Sequence, residues 1–255
     1  MAKGNFKPCL AVTLSHEGGW SDHPKDPGGA TMKGITLARY QQHKPSATKA
    51  DLRKITDAEV EYIYRADYWV AVKGEDLPYG VDLAVFDFGV NSGPARSKKY
   101  LQAVLGVAQD GVIGPQTLAA VKAADPVQVV KKLCARRLAF VQGLSTFSVF
   151  GKGWTRRIAD VEAKAVAMAL AKGKAKTEEV RERLAIEAIE AKERASSQTG
   201  GAGAAGGIGG VGLITDVNWV TIVVLLVLLA GAGYLIWRSR VNRERSAAYE
   251  REAAA

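Results

Sequence analysis

The sequence predicts a mainly α-helical protein with one small irregular region near its front, and three observations predict it. Apolar residues recur at helical spacing, with start and stop signals, through most of the first 170 residues. Only 18–35 (GGWSDHPKDPGGATMKGI) interrupts them, and its Gly, Pro and Asp residues favour loop and a small β-hairpin. Near the C-terminus lies an uncharged run, WVTIVVLLVLLAGAGYLIW from Trp219 to Trp237. With 255 residues, 47% of them hydrophobic, the chain can bury a substantial core, which excludes a disordered chain. Two cysteines without CxxC spacing exclude a disulfide framework and a metal-cluster protein.

Taken in order, residues 5–17 form a first helix, with Gly18-Gly19 as its C-cap. The polar loop follows, and Thr36 then caps a helix over 37–43. Thr56 and Glu59 make a capping box for 57–70, where Val60, Tyr64 and Tyr68 share a face. Residues 79–91 (YGVDLAVFDFGVN) are apolar enough for a central core helix. Helices at 94–105, 115–123 and 126–143 come next, and Trp154 opens a last one. Cys9 and Cys134 are expected as buried fillers, since a disulfide needs Cα atoms within about 7 Å and an oxidising compartment.

Beyond this front region, Thr177–Ala195 reads as a solvated helical stalk with a thin stripe of Val180, Leu184, Ala188 and Ala191. Gly200–Gly212 reads as a flexible linker. The apolar run that follows has the length of a membrane span, and Trp219, Tyr234 and Trp237 stand where interfacial aromatics belong. Arg238, Arg240, Arg243 and Arg245 crowd its far end and favour a cytoplasmic C-terminus. The start of the chain offers no apolar run long enough for a signal peptide, so topology stays open between an outward-facing front region and a tail anchor. The expected organisation is 1–93 and 94–170 as two parts of the front region, 171–199 as stalk, 200–216 as linker, 217–237 as transmembrane helix and 238–255 as basic tail.

Charge is unevenly spread: +7 over residues 1–170, zero over 171–237 and +2 over 238–255. A basic front region suits a polyanionic partner such as a cell wall. No basic stripe with interleaved aromatics stands out, so nucleic acid is not expected.

The polar loop is where chemistry is expected, because it gathers Glu17, Asp22, His23 and Asp26 within ten residues. Glu17 closes a mainly apolar helix, which places its carboxyl between core and cleft and suits proton donation. Asp26 lies in a turn that can fold back across the cleft. A carboxylic acid facing a carboxylate is what glycosidic cleavage requires, one protonating the leaving oxygen while the other activates water. Asp26 is the expected base, with Asp22 in reserve. Trp20 and Trp69 can stack on sugar rings, and Asn91 at a helix end can cap or bind ligand. His16, His23 and His43 do not have the spacing of a metal site, so neither metal nor cofactor is expected.

His16–Thr36, HEGGWSDHPKDPGGATMKGIT, resembles the signature of the glycoside hydrolase family 108 muramidases, which comprise phage endolysins and secretion-linked lysozymes. The resemblance implies that Glu17 is the catalytic acid of an E-G-G-aromatic element completed by Gly18, Gly19 and Trp20. It runs position by position from Asp26 to Thr36. It continues through Tyr68-Trp69, Phe86-Asp87, Val90–Gly93, Gly153-Trp154 and Arg156-Arg157, covering about residues 6–165. What it implies is a lysozyme-like helical domain whose partner is peptidoglycan. Within it, Asp110–Thr117 (DGVIGPQT), with Leu101-Gln102 and Leu105–Val107 ahead of it, is similar to the core of peptidoglycan-binding modules. The Glu17–Asp26 interval is also similar to phage lysozymes of the Glu-8-Asp-5-Thr type, although Thr31 comes one residue early, and this resemblance implies that Thr31 hydrogen-bonds the water.

These readings lead to an N-acetylmuramidase that cleaves the MurNAc–GlcNAc β-1,4 bond with inversion, used in phage lysis or local wall opening. It would sit in the host inner membrane as a single-pass protein acting in the periplasm or on the wall, served by a holin or an export system. The alternatives are a catalytically inactive membrane-tethered anchor, a lytic transglycosylase using Glu17 alone, and a holin-like assembly protein.

Overall fold

In the computed structural model the described residues are 3–22, 29–172, 177–206 and 219–255, with side chains given for all of these except 200–206, 219–221, 224 and 225. Among the described residues the fold is mainly helical with one two-stranded sheet. The chain divides into two compact units, Met1–Ala175 and Lys176–Ala255.

In the front unit, helix α1 (Phe6–Leu14) buries Phe6, Cys9, Leu10 and Thr13. It ends earlier than the sequence predicts. Ser15 forms the cap, and Glu17 stands beyond the helix in a turn held by its N–H on the Leu14 carbonyl at 3.1 Å. Gly18-Gly19 therefore lies past the helix end and does not cap it. The chain then enters the hairpin β1 (Thr31–Met32) and β2 (Ile35–Thr36), paired Thr31 with Thr36 and Met32 with Ile35. Lys33 and Gly34 form its two-residue turn with φ of +50° and +75°, the doubly positive geometry that matches strand twist. Ser21 bridges back to Thr31 through two backbone hydrogen bonds of 2.9 and 2.8 Å, closing the loop on the hairpin.

Thr36 caps α2 (Leu37–His43) as expected, its hydroxyl accepting from the Arg39 N–H. A short helix, α3 (Lys49–Arg53), was not anticipated; Thr48 and Asp51 give it a reciprocal capping box. The Thr56–Glu59 box starts α4 (Asp57–Tyr64), and the ladder then widens into a π turn over Arg65–Trp69 instead of continuing as α-helix to 70. That turn drives Trp69 inward between Phe6 and Phe86, with ring centroids 5.4 Å from each.

The centre of the unit is α5 (Val81–Ser92), buried from Val81 to Gly89. α6 (Pro94–Leu105), α8 (Pro126–Gln142) and α9 (Phe147–Ala171) all pack on it. α7 (Pro115–Ala123) joins α6, and Gln102 ties the intervening turn by donating to Asp110 and accepting from the Gly111 N–H. α9 starts at Phe147, seven residues before the expected Trp154, and tolerates Gly151 because a Cβ there would lie 2.8 Å from the Phe147 ring. Cys9 and Cys134 are buried and form no disulfide.

The second unit pairs α10 (Glu178–Gly206) with α11 (Trp219–Ala254). The expected stalk stripe is an interface: Val180, Leu184, Ala188, Ala191 and Ala195 are buried, as are Val241, Ala248 and Tyr249 of α11. Polar bonds fix the pairing, from Asn242 to Gln198 at 3.0 Å and from Ser246 to the Ala188 carbonyl at 2.9 Å. Two expectations are thereby corrected. Residues 200–206 continue α10 instead of opening the linker, and 238–255 is packed helix, not a tail; the rest of the expected linker lies outside the described residues. The expected transmembrane helix at 217–237 is corrected as well, because among the described residues no helix is long and apolar enough to cross a membrane. The apolar run is only the opening part of a 36-residue helix whose arginine-bearing remainder packs along α10.

Candidate active site

Glu17 is held by a chain of alternating charges that crosses the core. Arg137 of α8 donates to Asp87 Oδ2 at 2.7 Å, and Arg157 of α9 grips Asp87 through Nε and Nη2, the latter at 2.7 Å. The remaining Nη1 of Arg157 donates to Glu17 Oε1 at 2.8 Å. Burial alone would push the Asp87 carboxyl up, but the Arg137 and Arg157 guanidiniums outweigh that and hold it well below the usual carboxylate range. Burial likewise opposes the charge on Arg157, and Asp87 followed by Glu17 overcomes it, so the guanidinium stays charged. Arg137–Asp87 is fully sequestered, whereas the Glu17 side chain keeps 18% exposure. The chain thus runs from a dry core to a half-open carboxylate.

The hairpin meets Glu17 from another side. A Cβ at Gly34 would lie 2.7 Å from Glu17 Oε2 and 2.5 Å from the Tyr64 hydroxyl, so both oxygens flank the same backbone position. Tyr64 donates to the Lys33 carbonyl at 2.8 Å and fixes the turn. Its burial, reinforced by the charge of Glu17, raises the hydroxyl well above its ordinary value and keeps it a donor. One carboxyl oxygen is therefore clamped by Arg157 while the other faces the hairpin turn. This is a positioned carboxyl suited to proton transfer. What positions it is a charge partner, where the sequence suggested an apolar wall.

The other expected site residues are only partly gathered here. Thr31 lies in the hairpin, with its hydroxyl donating to the Gly29 carbonyl at 3.2 Å. Trp20 is half-buried and carries the Arg53 guanidinium 5.5 Å over its ring. Asp22 is exposed and turns to α3, where Lys49 donates to both its oxygens. Asp26 and His23 lie outside the described residues. Asn91 is exposed in the last turn of α5 and accepts from Ser92. Trp69, expected as a sugar platform, is corrected to a core residue: it is 1% exposed, and its indole N–H donates to Glu75. His16 stands 2.9 Å from Asp160 and His43 pairs with Asp67, so these two serve different neighbours.

Sequence reasoning missed the roles of Arg157, Asp87, Arg137 and Tyr64. A signal existed, since Asp82 and Asp87 are the only charged residues of an otherwise apolar helix, and a carboxyl buried there must either keep its proton or meet a cationic partner. Which arginines supply it is a tertiary fact.

Residues 10–93 match the family model described as Glycosyl hydrolase 108. Residues 96–159 match the one described as Predicted Peptidoglycan domain. Among solved structures, the chain is similar to the one titled "Structure of Brucella abortus SagA", at 50% identity, TM-score 0.61, and coverage of 66% of this chain and 97% of that one. No curated protein matches. The boundary between the two family models does not divide the site, because Glu17 falls within the first and its partner Arg157 within the second.

Proposed function

The chain belongs to the glycosyl hydrolase 108 family, and from that premise we propose that it is an N-acetylmuramidase cleaving the MurNAc–GlcNAc β-1,4 bond of peptidoglycan. The two family matches support a peptidoglycan-related hydrolase. The observation that carries the finer reading is the half-open Glu17, clamped by Arg157 through one oxygen and set against the hairpin turn by the other. Glu17 protonates the leaving glycosidic oxygen, and Asp26 activates water for attack from the opposite face, so the product is inverted. Arg157 and Asp87 position the acid without touching substrate, and the cell wall is the place of action.

Digestion of purified peptidoglycan by the native chain and by Glu17→Gln, with product ends identified by mass spectrometry, tests the proposal. Reducing MurNAc ends, absent with the variant, are expected. Glu17-dependent 1,6-anhydro ends would instead mean a lytic transglycosylase that has no need of Asp26. A native chain that binds the wall but leaves it intact would overturn the enzyme reading in favour of an anchor.

A further inference from the structure

Away from Glu17, α6 and α8 enclose a groove of about 400 Å³, lined by Tyr100, Ala103, Gln109, Arg136, Ala139 and Phe140. Its size falls in the range of small-ligand sites. Helical spacing builds it. Tyr100 and Ala103 share one face of α6, and Arg136, Ala139 and Phe140 share one face of α8. The two alanines leave the space open, while the two rings wall it. Tyr100 and Phe140 meet edge to face at 6.0 Å, and both rest on Phe88 of α5, at 5.3 and 6.2 Å. These aromatic surfaces are therefore anchored to the core helix.

The charge around the groove points to its ligand. Residues 94–143 hold eight Lys+Arg against two Asp, a net +6 out of +9 for the whole chain. Both aspartates are engaged locally, Asp110 by Gln102 and the Val112 N–H, and Asp125 by the Val127 N–H as the cap of α8. Arg137 faces inward to Asp87. Arg136, in contrast, is exposed and lines the groove, and the Arg96 guanidinium lies 4.4 Å over the Phe140 ring beside it. The lining contains no carboxylate. A ligand that fits presents carboxylates to guanidinium and small apolar groups to the rings.

Resting on the peptidoglycan reading above, we propose that this groove is a second wall-binding site that takes the anionic peptide stem of peptidoglycan. The stem carries several free carboxylates for Arg136 and a run of alanine methyl groups for Tyr100 and Phe140, whereas the bare glycan offers only the single lactyl group of each MurNAc. The chain thereby contacts the glycan at Glu17 and a peptide stem at α6–α8. α5 underlies both, through Asp87 behind Glu17 and Phe88 behind the groove, so cleavage is biased toward strands that still carry their stems.

Titration of the full-length Glu17→Gln chain with a free stem tetrapeptide, and separately with the peptide-free disaccharide, tests the proposal. The tetrapeptide should bind, and both Arg136→Ser and Ala103→Leu should weaken it about tenfold or more, the scale of a lost charge-assisted hydrogen bond or a filled groove. Melting curves confirm that each variant is folded. With Glu17 intact, Arg136→Ser should raise KM on whole sacculi and leave turnover of peptide-stripped glycan strands unchanged. Tetrapeptide binding that ignores both substitutions, or binding of the disaccharide alone, would overturn the groove assignment. If the native chain cleaves neither substrate, the muramidase reading falls, while the tetrapeptide titration still decides the groove.

Discussion

Gly34→Ala tests whether the hairpin turn sets the position of the catalytic carboxyl. The added methyl would stand 2.5 Å from the Tyr64 hydroxyl, 2.7 Å from Glu17 Oε2 and 2.9 Å from Glu17 Cδ. Ordinary contact begins at 3.4 Å, so Glu17 must retreat by about 0.7 Å or the turn must lift. Arg157 anchors the opposite carboxyl oxygen, so such a retreat works against a charged hydrogen bond. Misplacement of a reacting group by ~1 Å can cost ~10²-fold in rate, and we expect turnover to fall by roughly ten- to a hundredfold. An alanine at φ +75° adds about 1–2 kcal/mol of backbone cost, which for a unit of this size lowers Tm by about 2–8 °C. Reducing-end release from purified peptidoglycan, measured beside thermal melts, separates the two effects. Adding Tyr64→Phe removes the nearest clash together with the hydrogen bond to the Lys33 carbonyl, and the rate should stay low because the overlap with Glu17 persists. Native turnover in Gly34→Ala, with only the Tm lowered, would refute the idea that this turn positions Glu17.

Three further outcomes follow from the core and the second unit. Asp87→Asn leaves two buried guanidiniums without their shared carboxylate and should cost about 3–5 kcal/mol in denaturant melts, with loss of activity as Arg157 loosens. Adding Arg137→Met removes one stranded charge and should recover part of that stability; a milder effect of Asp87→Asn would show that the chain of charges is not what holds α5 to α8 and α9. Burial pushes the Asp82 carboxyl up to about 7, against bonds from Asn5 at 2.7 Å and the Leu83 N–H. The folded protein therefore holds this proton through the window in which the unfolded chain, ionising near 4, has lost it. Stability from this group is complete below about pH 4, falls as pH rises toward 7, and is then constant, a total of about 4 kcal/mol. Melts of the native chain and Asp82→Asn across that window should show the slope flattening in the variant, and parallel slopes would exclude Asp82. In the second unit, Leu184→Ala should destabilise the α10–α11 pair by about 2–5 kcal/mol, read as earlier loss of amide protection confined to α10 and α11.

The sequence by itself determined the helical class, the capped starts of α2 and α4, and the hairpin, because these depend on residues a few positions apart. Thr36 and the Thr56–Glu59 box act through local hydrogen bonds that need no partner from elsewhere, and Lys33-Gly34 supplies the backbone geometry of the turn that Tyr64 then fixes. Glu17 was legible in the same way, through the motif around it. Its surroundings were not. Arg157 is 140 residues away and Asp87 and Arg137 are 50 apart, and nothing local indicates which buried charge meets which. The fate of Trp69 was also a tertiary decision, since the π turn that rotates it inward is stabilised by Phe6 and Phe86 from other helices. So was the second unit, where a stripe of Val180, Leu184 and three alanines, too thin to announce a core, becomes one because α11 lies close along it. Periodicity shows which face of a helix is apolar, whereas only the folded chain shows what covers that face, because burial and charge pairing depend on separation in space and not along the sequence.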